Sequence, residues 1–152
     1  MSKKTIFVDM DGVLVDFESG IQNLSDEDRA KYKGRYDAAP GIFDLMNPMP
    51  GAIESFAWLS ENFDAYILST APWRNPGAWQ SKRLWAEKYL MPYAKKRLIL
   101  SHNKHLCKGD FLIDDRTANG AGDFDGELIQ FGKGSFSTWP DVVNYLKTQL
   151  SN

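Results

Sequence analysis

The chain of 152 residues has a single cysteine, Cys107, which excludes an intramolecular disulfide and makes a reducing, cytoplasmic location the expectation. It has no dominant charge of either sign. Lys and Arg number 18 and Asp and Glu 20, for a net charge of -2. That balance argues against a general nucleic-acid surface or attachment to anionic membranes. Long apolar runs are also missing. Lys3 and Lys4 precede an apolar stretch, but Asp9 breaks it far too early for a signal peptide or a spanning helix. No internal repeat or low-complexity tract is present. What remains is an ordinary globular composition, 43% hydrophobic and 25% charged, with aromatics at 13%. This length suits one domain with a real core and room for a small insertion.

The stretch that organises the rest is Thr5 to Gly12. An apolar, β-branched run from Thr5 to Val8 reads as a buried parallel strand, and it stops on Asp9-Met10-Asp11-Gly12. Open α/β sheets bind ligands outside the carboxyl ends of their strands. Alternation along extended chain lets Asp9 and Asp11 face the same way, and Gly12 permits a tight turn beside them. A carboxylate can attack phosphorus to give an aspartyl-phosphate. A second one can protonate the leaving alkoxide and later activate water. Aspartates also form plain solvated turns, so the pair acquires meaning only with partners.

Further along, Phe17, Ile21 and Leu24 fall at helical spacing, and Ser25 to Pro40 is too polar for a core segment. Residues 17–50 are therefore expected to form a small helical cap inserted after the first strand. Tyr32, Tyr36, Ile42 and Phe43 would either close over a ligand or pack the insertion onto the core. Pro48 to Gly51 punctuates the return, and Ala52 to Glu61 reads as an amphipathic helix with Ile53, Phe56 and Ala57 on its apolar face. Asp64 to Thr70 is a second strand ending in Ser69 and Thr70, whose hydroxyls and neighbouring N–H groups can hold a phosphoryl oxygen. Asn75-Pro76 is expected to cap a helix running to about Leu90, with Ala78, Ser81, Trp85 and Tyr89 on one stripe. Trp79 and Trp85 read as packing residues, and Lys95 to Arg97 as a solvated junction.

Leu98 to Leu100 is a third strand, after which Lys104 and Lys108 are the lysines able to reach a phosphate. Phe111 to Arg116 is a fourth strand, and it again stops on paired acids, Asp114 and Asp115. Carboxylates gathered from two strand ends repel unless a cation sits among them, and hard oxygen donors beside an anionic substrate suggest Mg²⁺. Glu127 to Phe131 gives a fifth strand. Thr138 and Asp141 form a capping box for a last helix with Val142, Tyr145, Leu146 and Gln149 down one side.

These strand ends, taken together, resemble the haloacid dehalogenase (HAD) superfamily of aspartate-dependent phosphohydrolases. Asp9-Met10-Asp11-Gly12-Val13 matches its first motif, Ile67-Leu68-Ser69 the second, Lys104 the third and Leu112 to Asp115 the fourth. Within that superfamily, Asp9 to Glu18, Pro48 to Ala52 and Leu112 to Arg116 look like the 5'(3')-deoxyribonucleotidases. In those the lysine stands ten residues before the first acid of the last motif, and here 114 − 104 = 10, which favours Lys104 over Lys108.

The resemblance implies a Rossmann-like parallel sheet flanked by helices. It makes Asp9 the nucleophile and Asp11 the general acid and base. Mg²⁺ would be held by Asp9, the backbone carbonyl of Asp11, and Asp114, with Asp115 supporting the ion's waters. Ser69, Thr70 and Lys104 would bind phosphate, and Phe17, Ile42, Phe43 and His102 would meet the nucleoside. The Ser69-Thr70-Ala71-Pro72 loop carries a residue more than the relatives' Thr-Ser-Pro, and His102 replaces an arginine. The expected partner is a small phosphate ester, a deoxyribonucleoside monophosphate first of all, for a monomer or homodimer with no membrane and no stable nucleic-acid binding. Another phosphorylated metabolite, a nucleic-acid terminal phosphate and a non-catalytic phospho-ligand module are the alternatives. The last would not need Asp9 and Asp11 together.

Overall fold

The apolar run that ends at Asp9 becomes the middle strand of a parallel sheet. In the computed structural model, which describes residues 2–150, β1 (Thr5–Val8) is followed by a two-residue strand β2 (Val15–Asp16) and the short helices α1 (Phe17–Gln22) and α2 (Asp26–Lys31). Next come 3₁₀ turns at Tyr36–Ala38 and Ile42–Leu45, then β3 (Asn47–Pro48), α3 (Ala52–Asn62), β4 (Asp64–Ser69) and α4 (Gly77–Tyr89). The chain ends with β5 (Leu98–Leu100), β6 (Phe111–Asp114), β7 (Glu127–Gln130) and α5 (Trp139–Gln149). The sheet order is β5-β4-β1-β6-β7 and every pairing in it is parallel. All carboxyl ends therefore share one edge, with neighbouring strands about 4.8 Å apart. Asp9, Ser69 and Asp114 meet there for that reason.

Alternation divides the core. Ile6, Val8, Ile67 and Ile113 face one layer, built with Phe56 and Leu59 of α3, Trp85 of α4 and Trp139, Val142 and Leu146 of α5. Phe7, Leu68 and Leu112 face the other way, onto Ala121 and Phe124. Right-handed crossovers from β1 through α3 to β4, and on through α4 to β5, place both helices on the same side. The opposite side is covered by 3₁₀ turns at Lys104–Leu106 and Ala121–Asp123 rather than by long helices. The capping box of α5 is present, Thr138 N donating to Asp141 Oδ2 at 3.1 Å and Asp141 N to Thr138 Oγ1 at 3.5 Å.

Several local expectations are corrected. Asn75 does not cap α4. Its amide is buried and donates instead to the carbonyls of Asp37 and Ala39, at 3.0 and 3.2 Å, so it ties the α4 entry to the insertion. The buried face of α3 is Ala52, Ser55, Phe56 and Leu59, while Ile53 is 40% exposed, because the sheet lies on the Phe56 side. Strands β4, β6 and β7 stop at Ser69, Asp114 and Gln130, one or two residues short of the expected ends. Helix α2 buries nothing, as its polarity requires, yet Ala39 within the same polar stretch is fully buried. The insertion is closed at its base by an antiparallel β2–β3 pair, Val15 opposite Pro48 and Asp16 opposite Asn47. Trp85 Nε1 pins its far side by donating to Met46 O at 3.0 Å.

Candidate active site

Beyond β1 the chain keeps one more ladder bond, Asp9 N to Ile113 O at 2.9 Å, and then folds tightly. The Met10 carbonyl accepts from Val13, Leu14 and Val15, and Gly12 N donates to Val15 O at 2.9 Å, so the turn that carries Asp11 is closed by its own backbone. Gly12 sits at φ +79°, and a Cβ there would lie 2.2 Å from Asp115 Oδ2. Backbone conformation and space both require glycine at this point.

Two ammonium groups divide the carboxylates. Lys104 is 3% exposed, and its Nζ donates to Asp9 Oδ1 at 3.1 Å and to Asp114 Oδ2 at 2.6 Å. Lys82 is fully buried and donates to Asp11 Oδ2 at 2.9 Å and Ser69 Oγ at 2.8 Å. Burial raises the Asp9 carboxyl well above the usual aspartate range; Asp114 and Asp11 push the same way, against Lys104 and Lys82. Asp115 is raised for the same reasons, burial first and Asp114 next. Burial opposes the charge on Lys104, but Asp9 and Asp114 outweigh it and hold its ammonium above the ordinary lysine range. Carboxylates gathered this closely oppose one another's ionisation and leave an excess of negative charge at the strand ends.

That excess is what a divalent cation would neutralise. Asp9, Asp114 and Asp115 each offer a carboxylate oxygen, all within 4.8 Å of one another. Asp115 Oδ1 and Asp11 Oδ1 are buried with no hydrogen-bond partner. An all-oxygen set of this kind fits a small hard cation such as Mg²⁺.

Above these groups opens a cleft of about 790 Å³, walled by the insertion, by the loops after β4 and β6, and by His102 beyond β5. Asp11, Phe17, Thr70, His102 and Asp115 line it. Ser69, at 1% exposed, lies beneath the surface, reached through Lys82. Thr70 commits its hydroxyl proton to Ser101 O at 2.7 Å. Ile42 and Phe43 do not form the wall. Both are buried, with the Phe43 ring 5.9 Å from that of Phe17 and 4.6 Å from Lys82 Nζ. Lys108 stands away from the site, exposed and paired with Asp125. The sequence reading missed Lys82. The available signal was its position four residues from both Ala78 and Ala86, on the buried stripe of α4.

Several solved structures share this fold. A HAD hydrolase of Bacillus subtilis, solved with magnesium, superposes with a TM-score of 0.68 at 13% identity, covering 96% of this chain and 99% of that one. A subfamily IA HAD hydrolase of Geobacter sulfurreducens gives 0.57 at 12% identity over 95% of this chain and all of that one. The parallel sheet and these neighbours define a HAD-like fold. More narrowly, residues 20–138 match the family described as 5' nucleotidase, deoxy (pyrimidine), cytosolic type C. A protein of Vibrio phage KVP40, provisionally named a 5'(3')-deoxyribonucleotidase, is 58% identical over 147 residues, 97% of this chain and 86% of the phage protein. The human cytosolic-type 5'(3')-deoxyribonucleotidase is 30% identical over 140 residues, 73% of this chain and 70% of its own. The chain belongs to this nucleotidase family, a group of phosphoric monoester hydrolases of the 5'-nucleotidase type.

Proposed function

We propose that the chain hydrolyses deoxyribonucleoside monophosphates through an aspartyl-phosphate on Asp9, with Mg²⁺ as cofactor. The observation that carries this reading is the convergence of Asp9, Asp11, Asp114, Lys82 and Lys104 at one edge of the sheet, below a cleft with room for a nucleotide. Family membership supports the substrate class, and the human cytosolic-type relative supports a cytoplasmic location.

In the first step an Asp9 carboxylate oxygen attacks phosphorus, the phosphorus–ester oxygen bond breaks, and Asp11 gives its proton to the departing alkoxide. In the second, Asp11 takes a proton from water, which attacks the acyl phosphate and releases phosphate and the free Asp9 carboxylate. Lys82 has a clear part in this exchange. Its ammonium donates to Asp11 Oδ2 at 2.9 Å and so holds the orientation of the carboxyl group that exchanges the proton. Because Lys82 is the donor to Ser69 Oγ, the serine keeps its own O–H for a phosphoryl oxygen. Lys104 places a further positive charge beside Asp9. Asp9, Asp114 and the carbonyl of Asp11 would hold Mg²⁺, with Asp115 ordering its water shell. When bound, the ion supplies charge neutralisation for the phosphoryl oxygens. Phe17 would meet the base, backed by Phe43.

The test is phosphate release from deoxy- and ribonucleoside 5'- and 3'-monophosphates and from common sugar phosphates, with Mg²⁺ or with EDTA. Metal-dependent turnover that favours deoxynucleotides supports the reading; turnover confined to esters without a base overturns it.

A further inference from the structure

The loop after β4 holds an indole that neither the fold nor the proposed chemistry accounts for. Trp73 lines the cleft and is 79% exposed, the highest exposure among the large exposed hydrophobic residues described. Chains normally cover so large an apolar surface, and the protein's other aromatic residues pack into its two clusters far more completely. The loop is not loose. At its start Thr70 Oγ1 donates to Ser101 O at 2.7 Å, and at its end the buried Asn75 amide grips the insertion through the Asp37 and Ala39 carbonyls. The indole also has a brace. The His102 ring lies 6.0 Å away at 74°, an edge-to-face pairing that still leaves the indole largely exposed, and the Trp79 ring lies 6.0 Å from that of His102.

Position decides what such a face would receive. β4 is hydrogen-bonded to β1, so the Trp73 loop rises from the strand next to the one that carries Asp9. A phosphoryl group over Asp9 directs its ester substituent into the cleft that Trp73 borders. A nucleobase offers a full π face to an indole, and stacking on aromatic side chains tolerates any base.

We propose that Trp73 is a specificity-determining residue, an aromatic platform braced by His102 on which the nucleobase of the substrate stacks. This rests on the nucleotidase reading above and assigns the base a surface on the β4 side of the cleft.

Trp73→Ala and Trp73→Phe, compared with the unmodified enzyme on a deoxynucleoside 5'-monophosphate and on 2-deoxyribose 5-phosphate, test it. The sugar phosphate keeps the ester and the sugar and lacks the base. Trp73→Ala is expected to raise KM for the nucleotide by about five- to 150-fold, the range for loss of one base stack. It should keep kcat within about twofold and leave the sugar phosphate unaffected, while Trp73→Phe retains most of the nucleotide preference. A free deoxynucleoside should also quench the fluorescence of the unmodified protein more than that of Trp73→Phe. If the unmodified enzyme prefers the nucleotide and Trp73→Ala matches it, or loses both substrates equally, the platform is overturned while the nucleotidase reading stands. An unmodified enzyme indifferent to the base overturns both.

Discussion

Lys82 Nζ lies 2.9 Å from Asp11 Oδ2, although the two residues are 71 positions apart in the chain. The same ammonium reaches Ser69 and lies under the Phe43 ring, so one buried charge joins the acid–base carboxylate, the second strand end and the insertion.

Lys82→Met is therefore expected to lower kcat by about 10²- to 10³-fold, the usual cost of removing one oriented charge from a site of developing charge. Its effect should not add to that of Asp11→Asn, because both variants disable the same unit. A double variant as active as Asp11→Asn alone bears this out; a product of the two losses contradicts it. Since the Asp11 side chain is 30% exposed, water partly replaces the lost partner, and the melting temperature should fall less than activity does.

The raised Asp9 carboxyl makes a prediction about pH. In the window above the ordinary value of 3.8, folded Asp9 holds a proton that the unfolded chain releases. The folded state then binds more protons, and metal-free stability declines as pH rises from that value through the raised one. Asp9→Asn removes this contribution, and Asp115, raised in the same direction, keeps part of the slope. In EDTA the variant should show a flatter melting temperature against pH and exceed the unmodified protein at neutral pH. Mg²⁺ should stabilise the unmodified protein more than the variant. Parallel pH profiles in EDTA would contradict the assignment of the slope to Asp9.

Trp139 is fully buried, and its Nε1 donates to Val13 O at 2.8 Å, clamping the turn behind Asp11. Trp139→Phe leaves that carbonyl unpaired and opens space beside it. A loss of about 2–4 kcal/mol in chemical denaturation is expected, combining the unpaired polar group with the cavity. A change below about 0.5 kcal/mol would show that the turn holds without the clamp.

Much of this was legible beforehand, for identifiable reasons. Strands buried on both faces read as apolar runs, and the acids that end β1 and β6 interrupt them abruptly, so the site's position followed from the runs. The capping box of Thr138 and Asp141 is a local device and was read locally. Lys82 escaped because a lysine on a helix reads as surface until its burial partners, far off in the chain, are known. Asn75 has the residue type of a helix cap, and only tertiary contact with Asp37 and Ala39 reveals its other use. The β2–β3 pair and the 3₁₀ turns over Phe7 are too short to leave a periodic signal. Ile42 and Phe43 were read for chemical type, and their burial depends on how the insertion folds back against α4.

The proposed mechanism turns on phosphorylation of Asp9. Acid quenching of the enzyme during turnover of a deoxynucleoside 5'-[³²P]monophosphate with Mg²⁺ tests it most directly. Protein-bound label is expected that is released by hydroxylamine, maps to the peptide containing Asp9, and is absent from Asp9→Asn together with activity. An Asp9→Asn enzyme that still releases phosphate at the unmodified rate, with no label trapped on either protein, would contradict it.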